Sequence, residues 1–511
     1  LGRFLKIIGA VAVINIFARL FGFLREIIIG IQYGTTNLAD SIINAYTIPN
    51  LLYLVVGGAF TTAFISIYHK TKSSIQDYIR RTFTTIVVTI TLVVIIFIGI
   101  EDFIINSYFQ PETVEEYELL KLLYNWMMPS TIMLVLSTWL SGILNVQGKF
   151  HLSSFSVLVY NLSFLIISVG LSLIIGPIGY GIGALLGAMF MIGFLIYGVR
   201  KVEDMSFKPS LARSDDQKEL WKVALPIMLG GATAQMYTLI QRFFTNDLAE
   251  GFVSAMNYAT KVSQFPQALL MTAVTTVIYP LLSKKEGEGD AESVKKLYVR
   301  GLRMLYLLVL PISVFVYFQP EAVVRVVFEY GSYTTESTAI TAPLLKIFSL
   351  TMFFLAASTY VTRFYYAKGN SIVPVIFSLL TVFGVNIAVT SALIDSLGAD
   401  AVAWGNLISA ILNLVLLVVF LHYKYKLSIV GKNFVQFGKF LLLTIGFVLV
   451  NWLVATYIVL ENKFLHISVT FIVTMIAYGI FVVVLRFEEL NSVVKGIKKK
   501  LFKSNKSSTN N

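Results

Sequence analysis

Arg19, Arg25 and Glu26 sit inside an apolar stretch at about residues 5–29, and Lys261 sits inside another at 252–282. If such stretches cross a bilayer, an embedded Arg costs roughly 2.5–3.5 kcal/mol to insert, so it faces a protein cavity and marks function. Arg suits phosphate because its planar fork makes paired, charge-assisted hydrogen bonds. On a regular helix, six residues place Arg19 and Arg25 about 9 Å apart along the axis and about 120° around it. They are expected to line one cavity, with Gly22 loosening the helix between them. Asp40, opening the next apolar run, is expected to hold an Arg or relay a proton, and Glu26 to act likewise. Asn50, Gln241 and Asn386 are candidate polar groups of the same cavity, although bonding one helix to another explains any single one equally well. The alternative for Arg25-Glu26 is a side-chain pair that snorkels to the interface. Arg242 is ambiguous, near one end of its run beside Asn246 and Asp247.

Other chemistry is missing from the sequence. It has no GxxxxGK[ST] phosphate loop, its four His show no metal-ligand spacing, and its zero Cys exclude thiol catalysis and Cys-ligated metals. The expectation is therefore no enzyme, no cofactor and no metal.

The elements that hold these residues follow from composition. Of 511 residues only 13% are charged, about half the ~25% usual in soluble domains, while 57% are hydrophobic. A crossing helix needs about 20 mostly apolar residues. Fourteen such runs are expected, at 5–29, 38–68, 82–108, 119–146, 152–175, 178–199, 219–245, 252–282, 298–318, 337–366, 371–394, 399–423, 437–460 and 464–487. The fold class is thus an all-α polytopic membrane protein with about 14 transmembrane helices. The first run has the basic start of a signal peptide but no small-residue cleavage site, so it reads as a mature helix.

The net charge of +12 could suggest nucleic acid, but its placement suggests topology instead. With the N-terminus inside, the outer segments hold only Arg325 and Lys463, and six basic residues lie within runs, leaving thirty-two of the 40 on the inner side. That bias is the positive-inside rule. Both termini are expected to be cytoplasmic, with membrane lipids as a partner and nucleic acid not.

The chain also echoes itself. Ala59–Lys70 resembles Ala273–Lys284 at an offset of 214, Gln147-Gly148-Lys149 resembles Lys368-Gly369-Asn370 at 221, and Gly179–Gly181 resembles Gly398–Asp400 at 219. Two parallel six-helix lobes around a central path are expected, a plan known among transporters. The expected domains are 1–218, 219–427, a pair of extra helices at 428–490, and a basic tail at 491–511 that attracts anionic lipid or anchors the topology.

Phe17-Ala-Arg19-Leu-Phe-Gly22-Phe-Leu-Arg25-Glu26, Ala39-Asp40, Ile48-Pro49-Asn50-Leu51-Leu52 and Gly58-Ala59-Phe60 closely resemble the start of the MurJ (MviN) lipid II flippases of the MOP exporter superfamily. Gly142–Lys149, Gly251–Tyr258 and Gln264–Ser283 agree as well. The resemblance implies a V-shaped cavity between two lobes, a groove for a polyprenyl tail on the last two helices, and alternating access. The cargo would be an undecaprenyl-diphosphate-linked peptidoglycan precursor, with Arg19, Arg25 and Lys261 near the diphosphate and Asp40 needed for function. It also implies the bacterial cytoplasmic membrane and cell-wall synthesis proteins as partners. The chain departs from the family pattern at Tyr53 (usually Arg), Gly57 (acidic), Thr260 (Asp), and Gln241 and Thr390, where some members have the Asp of a sodium site. Lys261 replaces the usual Arg. These departures leave a second cargo open, another lipid-linked polysaccharide repeat such as capsule or exopolysaccharide. A multidrug exporter of the superfamily should show inward carboxylates rather than inward cations, and a non-transporting scaffold would leave the buried Arg unexplained.

Overall fold

The computed structural model describes residues 2–68, 70–71, 74–201, 207–210, 214–246, 248–428 and 434–487, and the side chains of most of these. The basic tail 491–511 and Asp247 lie outside them. Helices appear in the order α1 (Gly2–Tyr33), α2 (Asn37–Leu52), a π-helical stretch Tyr53–Gly57, α3 (Gly58–Tyr68), α4 (Ile75–Gly99), α5 (Glu101–Ile104), α6 (Val114–Val146), α7 (Phe150–Ile175) and α8 (Ile178–Arg200). There follow α9 (Asp215–Asn246), α10 (Phe252–Gly287), α11 (Ala291–Phe318), α12 (Pro320–Val327), α13 (Thr335–Ala367), α14 (Ile372–Leu379), a π stretch Leu380–Asn386, α15 (Ile387–Leu397), α16 (Ala399–Tyr425), α17 (Phe434–Tyr457) and α18 (Lys463–Leu485), and a further π stretch, Ile105–Phe109, lies between α5 and α6. Among the described residues there is no strand.

Each of the fourteen apolar runs falls on one of these helices or on a helical series. Eleven helical segments are long and apolar enough to cross a membrane, and twelve if the bent pair Asp215–Ala232 and Gln235–Asn246 is one span. That number is counted among the described residues only, and the expected fourteen is not reached there; α1 and α10 are not among the spans counted. Polar caps start several helices: Ser74 accepts from Asp77 N, Thr113 from Glu116 N, and Asn462 from Phe464 N and Leu465 N.

Packing divides the chain into two compact units. The first comprises 1–261, 328–344 and 378–406. Within it α8 lies close along α7, because Gly183 and Gly187 fall one turn apart on the facing stripe. A Cβ at Gly183 would stand 2.9 Å from the backbone nitrogen of Ser168, and one at Gly187 3.1 Å from that of Phe164. Membrane helices use such small residues to approach closely where lipid supplies no hydrophobic drive. Beside them Phe64 stacks on Tyr78 at 5.3 Å and meets Trp139 edge-on at 5.8 Å.

The second unit comprises 262–327, 345–377 and 407–511. Its main core joins Tyr298, Leu302, Tyr360, Phe364 and Leu417, on α11, α13 and α16. A smaller core joins Leu310 and Val314 of α11 to Leu443 and Phe447 of α17, with Tyr478 of α18 packed against it.

Candidate functional site

The first unit encloses a cavity of about 240 Å³ among α1, α2, α6, α7, α9 and the start of α10. At ~30 Å³ per water that is room for about eight waters. Its charged lining is Arg25, Glu26, Arg242 and Lys261, three cations against one carboxylate.

Arg25 and Glu26 are adjacent, 9% and 5% exposed, and joined by a 2.8 Å hydrogen bond from a terminal nitrogen of the Arg25 guanidinium to Oε1. The guanidinium lies 4.5 Å from the ring centre of Phe164 and 5.0 Å from that of Tyr46. Two neighbouring aromatic rings, tilted 59° to each other with centres 5.8 Å apart, thus support the cation by their negative faces. The Tyr46 hydroxyl is paired with that of Tyr160 at 2.9 Å. The other Glu26 oxygen accepts from Asn257 Nδ2 at 2.8 Å, and Asn257 Oδ1 accepts from Arg242 at 2.8 Å. Two elements far apart in sequence, α1 and α9, are therefore linked through one amide of α10. Lys261 is one turn of α10 beyond Asn257, and Asn50 lines the same wall as Tyr46.

Several expectations need correction. Arg19 is exposed and does not line the cavity with Arg25. The helix runs unbroken through Gly22, whose Cβ position faces Asn161 Oδ1 at 3.3 Å. Gly22 makes room for α7 and does not turn Arg19 inward. Asp40 holds no Arg; its Oδ2 accepts from Gly251 N at 2.9 Å and its Oδ1 from Ser254 N at 2.7 Å. It caps the first turn of α10 from another helix, where an anion meets orphan N–H groups. Glu250 reciprocates by accepting from Asn37 N, at the start of α2, at 2.9 Å.

Gln241 and Asn386 also lie away from the cavity lining. Gln241 Nε2 donates to Thr260 Oγ1 at 3.1 Å, tying α9 to α10. Asn386 Nδ2 donates to Asn406 Oδ1 at 2.9 Å and its Oδ1 accepts from Thr390 at 3.2 Å. Gly405 makes that clasp possible, since a Cβ there would stand 2.7 Å from Asn386 Oδ1. Of the departing positions, Tyr53 does line the cavity, and Gly57 packs against Thr138 of α6.

Arg242 was underweighted in the sequence, and Asn257 was missed there. Gln235, Thr238, Leu239 and Arg242 all line the cavity, at the i, i+3, i+4, i+7 spacing of one helix face. That stripe was readable in α9 and would have assigned Arg242 inward.

The family model described as "Lipid II flippase MurJ" matches residues 32–478. The chain belongs to the MurJ family. Arg19, Arg25 and Glu26 precede the matched span, so their assignment rests on geometry. Among curated MurJ relatives, the "Probable lipid II flippase MurJ" of Rickettsia prowazekii is 26% identical over 436 residues, 82% of this chain and 84% of that protein. The "Lipid II flippase MurJ" of Burkholderia cenocepacia is 25% identical, over 71% and 73%. A solved structure, "Lipid II flippase MurJ, inward closed conformation", shares the fold with a TM-score of 0.82 at 21% identity, covering 95% of this chain and 99% of its own. An inward-facing multidrug resistance MATE transporter of the MOP superfamily aligns with a TM-score of 0.69 at 12% identity, over 82% and 99%. Like the MurJ proteins it matches, the chain is a multi-pass membrane protein with the MOP fold.

Proposed function

We propose that this chain is a transporter that carries lipid II, a polyprenyl-diphosphate-linked peptidoglycan precursor, from the inner to the outer leaflet of the bacterial cytoplasmic membrane by alternating access. The observation that carries this reading is the cavity with three cations, one of them an Arg set against two aromatic rings. A diphosphate is the anion such a fork grips, and an isoprenoid tail can stay in lipid while the head passes. Both termini are cytoplasmic in this reading, and Arg19, about two helical turns before Arg25, meets the anion before the cavity does.

A cavity of about 240 Å³ holds a diphosphate but not a glycan-peptide headgroup, so the site must widen to take the cargo. The lobes 1–218 and 219–427 are the moving parts, and parting Asp40 from Gly251 and Ser254 is the step that opens one end. The apolar surface shared by α11, α17 and α18 is the place for the tail. Cell-wall synthesis proteins are the natural neighbours of such a transporter.

Tyr53 in the cavity wall, where the resemblance leads one to expect an Arg, favours a second cargo, a lipid-linked capsule or exopolysaccharide repeat. A multidrug exporter is disfavoured, since three cations repel organic cations. The test is complementation of a strain depleted of its lipid II flippase. Rescue supports lipid II; failure there with rescue of a polysaccharide-flippase mutant supports the second cargo.

A further inference from the structure

We propose that Arg242 is the third anion-binding group of the cavity and the one that sets its preference for a diphosphate over a single phosphate diester. The inference rests on the diphosphate reading above and names the residue that makes it selective.

Arg242 is 4% exposed. One terminal nitrogen of its guanidinium donates to the carbonyl of Val253 at 2.8 Å and the other to Asn257 Oδ1 at 2.8 Å. Both acceptors are neutral. Its buried Nε has no partner, and among the described residues no carboxylate lies within 4.0 Å of it. A guanidinium keeps its proton in proteins, and the carboxylates that act on it through space, Asp40 and Glu26, make no ion pair with it, so its buried charge is only partly compensated. The contrast with Arg25 is direct, because Arg25 has Glu26 at 2.8 Å. Asn257 joins the two sites but passes on no charge.

The cavity's charges therefore divide into a neutral pair, Arg25 with Glu26, and two cations without a carboxylate bonded to them, Lys261 and Arg242. A diphosphate diester carries one negative charge on each phosphoryl group, two in all, and a simple phosphate diester carries one. Two surplus positive charges match the first. Without Arg242 a single surplus charge would match the second. Arg242 lines the cavity on the same α9 stripe as Gln235, Thr238 and Leu239, and each terminal nitrogen, after its bond to Val253 or Asn257, keeps a second N–H for a phosphoryl oxygen.

The competing role is a clasp: Arg242 would only tie α9 to Val253 and Asn257 on α10. Affinities of the full chain in nanodiscs for dimethyl diphosphate and dimethyl phosphate separate the two. The wild type is expected to prefer the diphosphate by about tenfold or more, the value of one charge-assisted contact. Arg242→Gln should bring that preference to within about threefold by weakening the diphosphate more than dimethyl phosphate, and Arg242→Lys should restore most of it. Thr238→Glu leaves Arg242 in place and sets a carboxylate one turn before it, in the favourable i, i+4 order. It should abolish the preference in a folded protein, and it decides the matter if Arg242→Gln does not fold. Wild-type preference in folded Arg242→Gln or Thr238→Glu overturns the role of Arg242 alone. A wild type with no preference overturns the diphosphate reading itself.

Discussion

Asp40 accepts a hydrogen bond from the backbone N–H of Ser254 at 2.7 Å, and the two residues stand 214 apart in the chain. That is the offset at which Ala59–Lys70 resembles Ala273–Lys284. Glu250 bonded to Asn37 N at 2.9 Å, 213 residues apart, returns the contact in the opposite sense. Two helices thus begin on each other's carboxylates.

Removing one of those carboxylates should loosen both beginnings. Asp40→Ala leaves the Gly251 and Ser254 N–H groups without their acceptor, at a cost of about 1–3 kcal/mol. Asp40→Asn keeps one acceptor oxygen and should cost less. Melting of the purified protein measures it; an Ala variant that melts with the wild type would refute the capping role.

Arg25→Lys tests whether the flat fork matters beyond its charge. Lysine keeps the charge but gives up the paired donors and the stack on Phe164 and Tyr46. Translocation of lipid II in proteoliposomes is expected to fall about 10- to 100-fold, and further in Arg25→Ala. Unchanged activity in a normally inserted Ala variant would remove Arg25 from the transport site.

Gly405→Ala should destabilise by about 1–3 kcal/mol, because its methyl would drive apart Asn386 and Thr390. Gly384→Ala is the control, since nothing lies within 4 Å of that Cβ position. Equal melting temperatures for the two variants would mean that the clasp yields without strain.

Asp290 caps α11 by accepting from Ser293 N at 3.0 Å and lies 3.2 Å from Lys285 Nζ. These bonds, the one to Ser293 foremost, hold its carboxyl down at about 2. A free Asp titrates at ~3.9, so the stabilisation is complete above about pH 5 and disappears as pH falls towards 2. The melting-temperature gap between wild type and Asp290→Ala should be constant above about pH 5 and shrink between about pH 4 and 2. A gap that ignores pH would exclude the carboxylate as its source.

The emptied cavity keeps its surplus positive charge, so an inside-negative potential should favour its return towards the cytoplasm. One charge crossing the whole potential is worth about 2.3 kcal/mol per 100 mV. Lipid II flipping in liposomes should speed up under an imposed inside-negative potential; rates that do not respond would rule this coupling out.

Much of the helical plan was legible because apolar length is a property of single segments. The site was legible only in part. Arg25, Glu26 and Lys261 announce themselves as charges in apolar runs, and all three line the cavity. Arg19 announces itself equally loudly and is exposed, because which side of a helix faces protein depends on neighbours that the segment does not encode. Asp40 was visible as an unusual carboxylate, but its partners are backbone N–H groups more than 200 residues away, which no side-chain pattern reveals. Gln241 and Asn386 face the ambiguity inherent in amides, which serve equally as ligand groups and as interhelical ties, and in this fold they are ties.

The small cationic cavity bears on energy conservation as well as on cargo. Any protein that moves a large polar head through a bilayer risks becoming a leak for the ions whose gradient powers the cell. Buried guanidinium and ammonium groups repel hydronium and sodium, as positive constrictions do in selective pores. With Arg25, Arg242 and Lys261 around about 240 Å³, the few waters inside sit in a field hostile to cations, so the idle transporter is insulated against short-circuiting the membrane it works in.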